Sequence, residues 1–335
     1  MARRKLSRHQ QERIGAIQER RRKRVEAQAG KALEELTEGE PAAGLVVTRH
    51  GQNLVVRDPA GALHHCLFRR NIEHLVCGDR VVWQATEPGH GVVTALLPRS
   101  SALLRPNCGG RMKPLAANVS QLVVVLAPQP PPSEYLLDQY LVTAENIGVK
   151  ALIAVNKSDL LEGDAAAEFD QRFACYHDIG YPVIGISAKF EHGLDPLIQR
   201  LQGETSILVG QSGAGKSSLV KALLPDRRIQ IGQLSQASGL GRHTTSTTTL
   251  YQLPQGGYLI DSPGVRSFRL GHLERKQLER GFREFAPFLG RCRFSDCSHH
   301  REPDCALTQA VAAGNISAGR MRNFLHMAAA LAADR

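Results

Sequence analysis

The sequence predicts a multidomain α/β protein, and three observations carry that prediction. Short apolar strands separated by Gly and Pro turns fill residues 43–105. Continuous apolar runs then alternate with amphipathic segments, and each run ends in a polar motif. Near the C-terminus, four metal-ligating side chains crowd into the fourteen residues 292–305. The expected architecture is an N-terminal OB-type β-barrel, a mostly parallel sheet with helices on both faces, and a C-terminal α-helical segment folded around a metal. A chain of 335 residues is long enough for two or three such units.

Residues 1–42 are expected to form a basic, flexible arm. The first twenty-five residues hold ten Lys and Arg against Glu12 and Glu19, a net +8 out of the +10 of the whole chain. Charge concentrated in this way suits a polyanion, nucleic acid before membrane, although a merely solvated tail has the same composition. A short helix is expected at Lys31–Leu36. No apolar run approaches the roughly 18 residues that span a bilayer, and the N-terminus has no apolar core of a secretory signal. A cytoplasmic protein without a membrane partner is therefore expected. Its seven cysteines then read as thiols or metal ligands rather than a disulfide framework.

The barrel, residues 43–105, starts with a hairpin of Leu45–Thr48 and Leu54–Arg57 around His50–Asn53. A turn at Asp58–Gly61 leads to a strand over 63–69, and two more follow at Val81–Gln84 and Val92–Leu96. Five short strands in about sixty residues fit an OB-fold, a frequent binder of nucleic acid, although a purely structural β-domain fits equally well. Aromatic platforms are scarce, with only Phe68 and Trp83 to offer. Residues 106–117 read as a linker at the start of the second unit, 106–272. Within it, Gln121–Ala127, Ala151–Val155 and Val183–Ile186 read as buried parallel strands, with helices near 136–147 and 165–179 between them.

The motifs of this unit sit where strands end. Ser206–Val209 runs into Gly210-Gln211-Ser212-Gly213-Ala214-Gly215-Lys216-Ser217-Ser218, a complete G-x-x-x-x-G-K-[ST] phosphate loop, and then into an amphipathic helix. Such a loop aims backbone N–H groups and a helix N-terminus at a phosphate. Lys216 would reach the terminal phosphates of a nucleoside triphosphate, and Ser217 would hold Mg²⁺. Asn156-Lys157-Ser158-Asp159 ends the strand at 151–155. Its Asp carboxylate can accept the N1–H and exocyclic amine of guanine, Asn156 can bond the ring edge and brace the neighbouring loop, and the Lys157 stem can cover the base. Ser187-Ala188-Lys189 ends the next strand and offers a backbone N–H to the guanine oxygen. Asp261-Ser262-Pro263-Gly264 ends the strand at 257–260, with Asp261 a candidate for Mg²⁺ and Gly264 for sensing the γ-phosphate.

Between the loop and Asp261 lies a Gly/Thr-rich stretch, 238–249, in which Thr244 or Thr245 is the candidate to complete the Mg²⁺ shell. The usual order of a GTPase is phosphate loop, switch Thr, DxxG, NKxD and SAK. Here NKxD and SAK come first, a circular permutation that leaves the sheet and its site unchanged. Val265 stands where many GTPases carry a Gln that orients the attacking water. Slow intrinsic hydrolysis is expected, with orientation by His243 or a bound partner; a solvated loop histidine is the competing reading of His243.

The third unit, 273–335, carries Cys292-x4-Cys297-x-His299-x5-Cys305. Three thiols and an imidazole make a closed tetrahedral set for one structural Zn²⁺, with His300 the rival of His299. Helices are expected to flank this loop at 310–313 and 321–326.

These motifs together resemble those of the small ribosomal subunit biogenesis GTPase RsgA family, over about residues 43–335. The residues that carry the resemblance are Asn156 to Asp159, Gly210 to Ser218, Gly241 to Thr245, Asp261 to Gly264 and the Cys/His set. The resemblance implies a GTP hydrolase that binds GTP and GDP with Mg²⁺, contacts the immature small ribosomal subunit and its rRNA, and assists late maturation with ribosome-stimulated turnover. It is expected to act as a monomer. The family also carries apolar residues after DxPG, in keeping with Val265. Two other readings are an RNA-binding assembly protein with a vestigial nucleotide site and an ATP-using P-loop enzyme.

Overall fold

A computed structural model describes residues 39–69, 72, 74–106, 112–238, 248–262 and 273–333. The basic arm up to residue 38, Thr244, Thr245, His243, Gly264 and Val265 lie outside them.

The barrel consists of β1 (Ala42–His50), β2 (Asn53–Arg57), β3 (Leu63–Phe68), β4 (Arg80–Ala85) and β5 (His90–Leu96). They pair in the order β1-β2-β3-β5-β4, and β4 closes back on β1. Only β3 and β5 run parallel. A register shift between Val46 and Thr48 bends β1, so that Ala42–Leu45 pairs with β4 while Thr48–His50 stays paired with β2. The centre is filled by Val46, Leu54, Val56, Cys66, Val81 and Trp83. Trp83 fits because Gly44 and Gly91 face it; a Cβ on Gly91 would lie 2.5 Å from its ring. Trp83 and Phe68 are therefore core residues, 4% and 8% exposed, and neither presents a stacking platform.

The segment expected as a linker is partly a strand. Next come β6 (Ala102–Pro106) and β7 (Met112–Ala117), which form a hairpin. Leu103, Leu115 and Ala116 enter the main core, and that burial holds residues 112–117 in register where composition alone suggested none.

Six strands form the main sheet: β8 (Gln121–Leu126), β9 (Lys150–Val155), β10 (Val183–Gly185), β11 (Thr205–Val209), β12 (Thr249–Gln252) and β13 (Tyr258–Asp261). Their order is β10-β9-β8-β11-β13-β12, parallel except for β12. The helices among them are α1 (Glu134–Ile147), α2 (Gly163–Asp178), α3 (Leu194–Leu201), α4 (Lys216–Leu223) and α5 (Arg227–Ser238). Every residue of β8 is buried, and alternate side chains serve opposite faces. Leu122, Val124 and Leu126 pack with α1 and α2 through Leu137, Tyr140 and Phe173. Val123 and Val125 pack with α3 and α4 through Leu197, Leu219 and Leu223. The sheet thus has helices on both faces.

One pairing, Thr48 with Thr249, joins β1 to β12 and makes barrel and main sheet continuous. The C-terminal helices are α6 (Arg275–Arg280), α7 (Ala306–Ala312) and α8 (Ala318–Ala333). Phe282, Phe285 and Phe324 form their aromatic centre, and Val142 of α1 enters it from the main sheet's side. Beside it Arg320, 2% exposed, donates to Asp138 of α1 and to Glu284. Among the described residues, no helix is long and apolar enough to cross a membrane.

Candidate functional site

Strand order in the main sheet reverses between β8 and β11, because β9 and β10 extend one way and β13 the other. Open α/β sheets bind ligands at the C-terminal ends of strands at such a point. Four sequence motifs come together there. The loop 210–215 leaves β11, residues 156–159 leave β9, residues 187–189 follow β10, and Asp261 ends β13.

Glycine is required at both ends of the loop. Gly210 has φ of 133°, and a Cβ there would lie 2.2 Å from the Val125 carbonyl. Gly215 has φ of 89°, and its Cβ would lie 2.2 Å from Nδ2 of Asn156. Lys216 opens α4, and its Nζ donates to the carbonyls of Gly210 and Gln211, both at 2.7 Å. Ser217 and Ser218 are exposed in the first turn of α4, and Ser212 and Gly213 are exposed on the loop, while Ala214 is buried.

Asn156, 2% exposed, ties the motifs to one another. Its Nδ2 donates to the Ala214 carbonyl at 2.9 Å, and its Oδ1 accepts from the Ala188 N–H at 3.0 Å. Lys157 sits in the left-handed region, φ 59°, and spans the loop from Gln129 O (2.7 Å) to Gly213 O (2.9 Å). The Ser158 N–H donates to Ile186 O, which aligns this turn with the end of β10. Asp159 is exposed, and its Oδ1 accepts from the buried Ser187 hydroxyl at 2.5 Å. Lys189 lies over the exposed Phe190 ring, 4.6 Å from its centroid.

Motif reading missed several neighbours. Gln211 accepts from the Ser133 N–H and so ties the loop to the N-cap of α1. Tyr140 is buried beneath the loop; burial raises its hydroxyl pKa, and a hydrogen bond with the Gly210 backbone opposes the rise. Arg227 Nη2 donates to Asp261 Oδ2 at 2.5 Å. None of these contacts has a sequence signal, since each joins residues far apart in the chain.

The second cluster contains Cys292, Cys297, His299 and Cys305, whose ligand atoms all lie within 4.8 Å of one another. His299 Nδ1 is 3.5 Å from Cys292 Sγ and 3.4 Å from Cys305 Sγ, and those two sulfurs are 3.9 Å apart. His299 Nε2 faces Glu279 at 3.4 Å. Burial works against a charged imidazole, yet Glu279 and Cys305 raise the His299 pKa. Burial likewise opposes the Cys305 thiolate, but hydrogen bonds from Thr308 and His299 bring that thiol down to about 6. His300 is exposed and lies outside the cluster. The set can hold a metal ion.

The RsgA GTPase family model matches residues 96–271. The small ribosomal subunit biogenesis GTPase RsgA of Ectopseudomonas mendocina is 45% identical over 341 residues, covering 100% of this chain and 99% of the relative. That of Azotobacter vinelandii is 46% identical over 99% of this chain and 98% of the relative. Among solved structures, YjeQ from Thermotoga maritima has a TM-score of 0.74 at 32% identity, covering 88% of this chain and 100% of that one. YloQ, a circularly permuted GTPase, has a TM-score of 0.71 at 28% identity, with coverage of 88% and 96%.

Proposed function

The chain belongs to the RsgA GTPase family, and from that premise we propose that it binds the small ribosomal subunit and its rRNA and assists late maturation by hydrolysing GTP. The observation that carries this reading is the convergence of four strand-end motifs at one sheet edge, in a chain aligned along its whole length with small ribosomal subunit biogenesis GTPases. Asp159 selects guanine, with Asn156, Ser158, Ser187, Ala188 and Lys189 shaping the base pocket and Lys157 covering the base. The loop Gly210–Gly215 cradles the phosphates, Lys216 neutralises them, and Ser217 and Asp261 hold Mg²⁺. Thr244 or Thr245 completes that shell, Gly264 senses the γ-phosphate, and His243 is the candidate for orienting water.

The chemistry asked of the protein here is positioning and charge neutralisation. The loop N–H groups and Lys216 face the growing negative charge, while Asn156 keeps base pocket and phosphate loop in one geometry. Because Val265 has no polar group for the attacking water, turnover is slow until the ribosomal partner binds.

Zinc is the metal we assign to the Cys/His cluster. Tetrahedral Zn–S and Zn–N bonds of about 2.3 and 2.0 Å imply ligand–ligand edges of about 3.5–3.8 Å, and the 3.4–3.9 Å separations among Cys292, His299 and Cys305 fit them, with Cys297 within 4.8 Å of the rest. Nδ1 would face the ion, and Glu279 would orient the ring through Nε2. With four protein ligands no position stays open, so this zinc is structural. Residues 1–42, 43–105, 106–272 and 273–335 act as arm, barrel, GTPase unit and zinc unit. The protein works as a monomer in the cytoplasm, and arm and barrel supply RNA contacts.

The test is GTP turnover with and without purified small ribosomal subunits. Stimulation is expected, and unchanged turnover would remove the ribosomal reading. Competition by GDP but not by ADP separates this function from that of an ATP-using enzyme.

A further inference from the structure

Among the arginines that hold carboxylates in this fold, Arg320 and Arg227 do so differently. Arg320 uses Nε, Nη1 and Nη2 at once, on Asp138 and Glu284, and is 2% exposed. Arg227 makes one ion pair, Nη2 to Asp261 Oδ2 at 2.5 Å, with both side chains about one-third exposed. Its Nε is buried and has no acceptor among the described residues. Arg320 is anchored from several sides. Arg227 has this one carboxylate partner and otherwise rests against Tyr251.

The position of Arg227 gives that difference a consequence. It is the first residue of α5, a few residues beyond the helix that follows the phosphate loop, and it lies over the Tyr251 ring of β12, 5.3 Å from the centroid. One turn on, Gln230 grips the backbone of Gln252, donating to its carbonyl at 3.1 Å and accepting from its N–H at 3.2 Å. Arg57 of the barrel donates to the Gln252 side chain. The body of α5 packs on β2 and β3. One short helix thus touches the Asp261 carboxylate at its start and the barrel along its length.

We propose that Arg227 is an internal counter-ion that exchanges with the divalent cation of bound GTP at Asp261, so that metal–nucleotide binding frees the start of α5 and passes the nucleotide state to the barrel. This rests on the reading of Asp261 as a Mg²⁺ ligand. A guanidinium on Oδ2 and a dication on the same carboxylate place like charges within a few ångströms of each other, so the two occupants compete for it. The exchange is reciprocal: whatever holds α5 on the barrel with Arg227 in place weakens metal binding by the same factor.

The experiment is a Mg²⁺ titration of binding of a non-hydrolysable GTP analogue to the full chain, wild type, Arg227→Ala and Arg227→Lys. Removing a half-exposed ion pair should lower the half-saturating Mg²⁺ about two- to fivefold in Arg227→Ala. Arg227→Lys should fall between the two, and GDP binding in EDTA should match wild type. In the wild type, hydrogen exchange over 227–230 should rise on adding Mg²⁺ with the analogue and not with GDP in EDTA. An unchanged Mg²⁺ midpoint in Arg227→Ala, or unchanged exchange in the wild type, overturns the proposal. Asp261→Asn distinguishes a deeper failure: if its Mg²⁺ midpoint equals that of wild type, Asp261 is not the metal ligand and the underlying reading falls with the proposal.

Discussion

Replacing Asn156 by Ala should damage this protein before any nucleotide is present. The Asn156 amide is the single side chain that joins the phosphate-loop carbonyl of Ala214 to the N–H of Ala188. Removing it leaves both backbone groups without that partner, and orphaning a buried polar group costs about 1–3 kcal/mol. Ala214 is buried, so its carbonyl bears the larger share; Ala188 is half-buried and water can relieve part of the loss. The expected destabilisation is about 2–4 kcal/mol, which lowers the melting temperature of a unit this size by roughly 5–15 °C. The assay is thermal unfolding of the nucleotide-free full chain, followed by titration with a fluorescent GDP. Affinity should fall at least about tenfold, since a 1.4 kcal/mol rise in the cost of assembling the pocket already has that effect. Asp159→Asn is the contrast. That carboxylate is exposed, so the variant should melt close to wild type while losing its preference for guanine over adenine. A nucleotide-free Asn156→Ala protein that melts within about 1 °C of wild type would refute the argument that this side chain braces the site.

Three further outcomes follow from the geometry. Asp138→Ala should destabilise the protein by about 3–5 kcal/mol in urea unfolding, because Arg320, Tyr176 and Asn323 all lose a buried acceptor. Gly91→Ala should cost about 1–3 kcal/mol by pressing on Trp83, and the fluorescence of this sole tryptophan reports the barrel directly. The purified chain should contain one zinc per molecule by elemental analysis. Cys297→Ser should lose the zinc, while Glu279→Gln should keep it with affinity lowered about 10- to 100-fold in a chelator competition.

Much of the candidate site was legible because its chemistry is local. A phosphate loop works through consecutive backbone groups, so its glycines and lysine must be neighbours in the chain, and the Gly210 and Gly215 dihedrals account for their places in the pattern. The Cys/His set is similar, since four ligands within fourteen residues can close around one point with only short loops between them. The barrel's strands were legible from short apolar runs and Gly/Pro turns, and so was the two-faced sheet from its unbroken apolar runs. Those runs did not reveal that Trp83 and Phe68 point inward, because a strand has two faces and only closure decides which is the core. The strand at Met112–Ala117 was missed for a related reason. Its sequence carries Pro114 and little periodicity, and it is held by Leu103 and the main core rather than by its own pattern.

Order along the chain and residue type thus determined the family, the permuted motif arrangement and which residues are candidates to bear ligands. Which charges meet was decided only by the tertiary fold. Arg227 and Asp261 are 34 residues apart, and Arg320 and Asp138 are 182 apart. No local propensity encodes such pairs, because their energy depends on burial and separation that exist only after sheet and helices have packed. The joining of β1 to β12 through Thr48 and Thr249 is of the same kind. A strand edge carries no address for its partner, and packing of the two cores on either side brings those edges together.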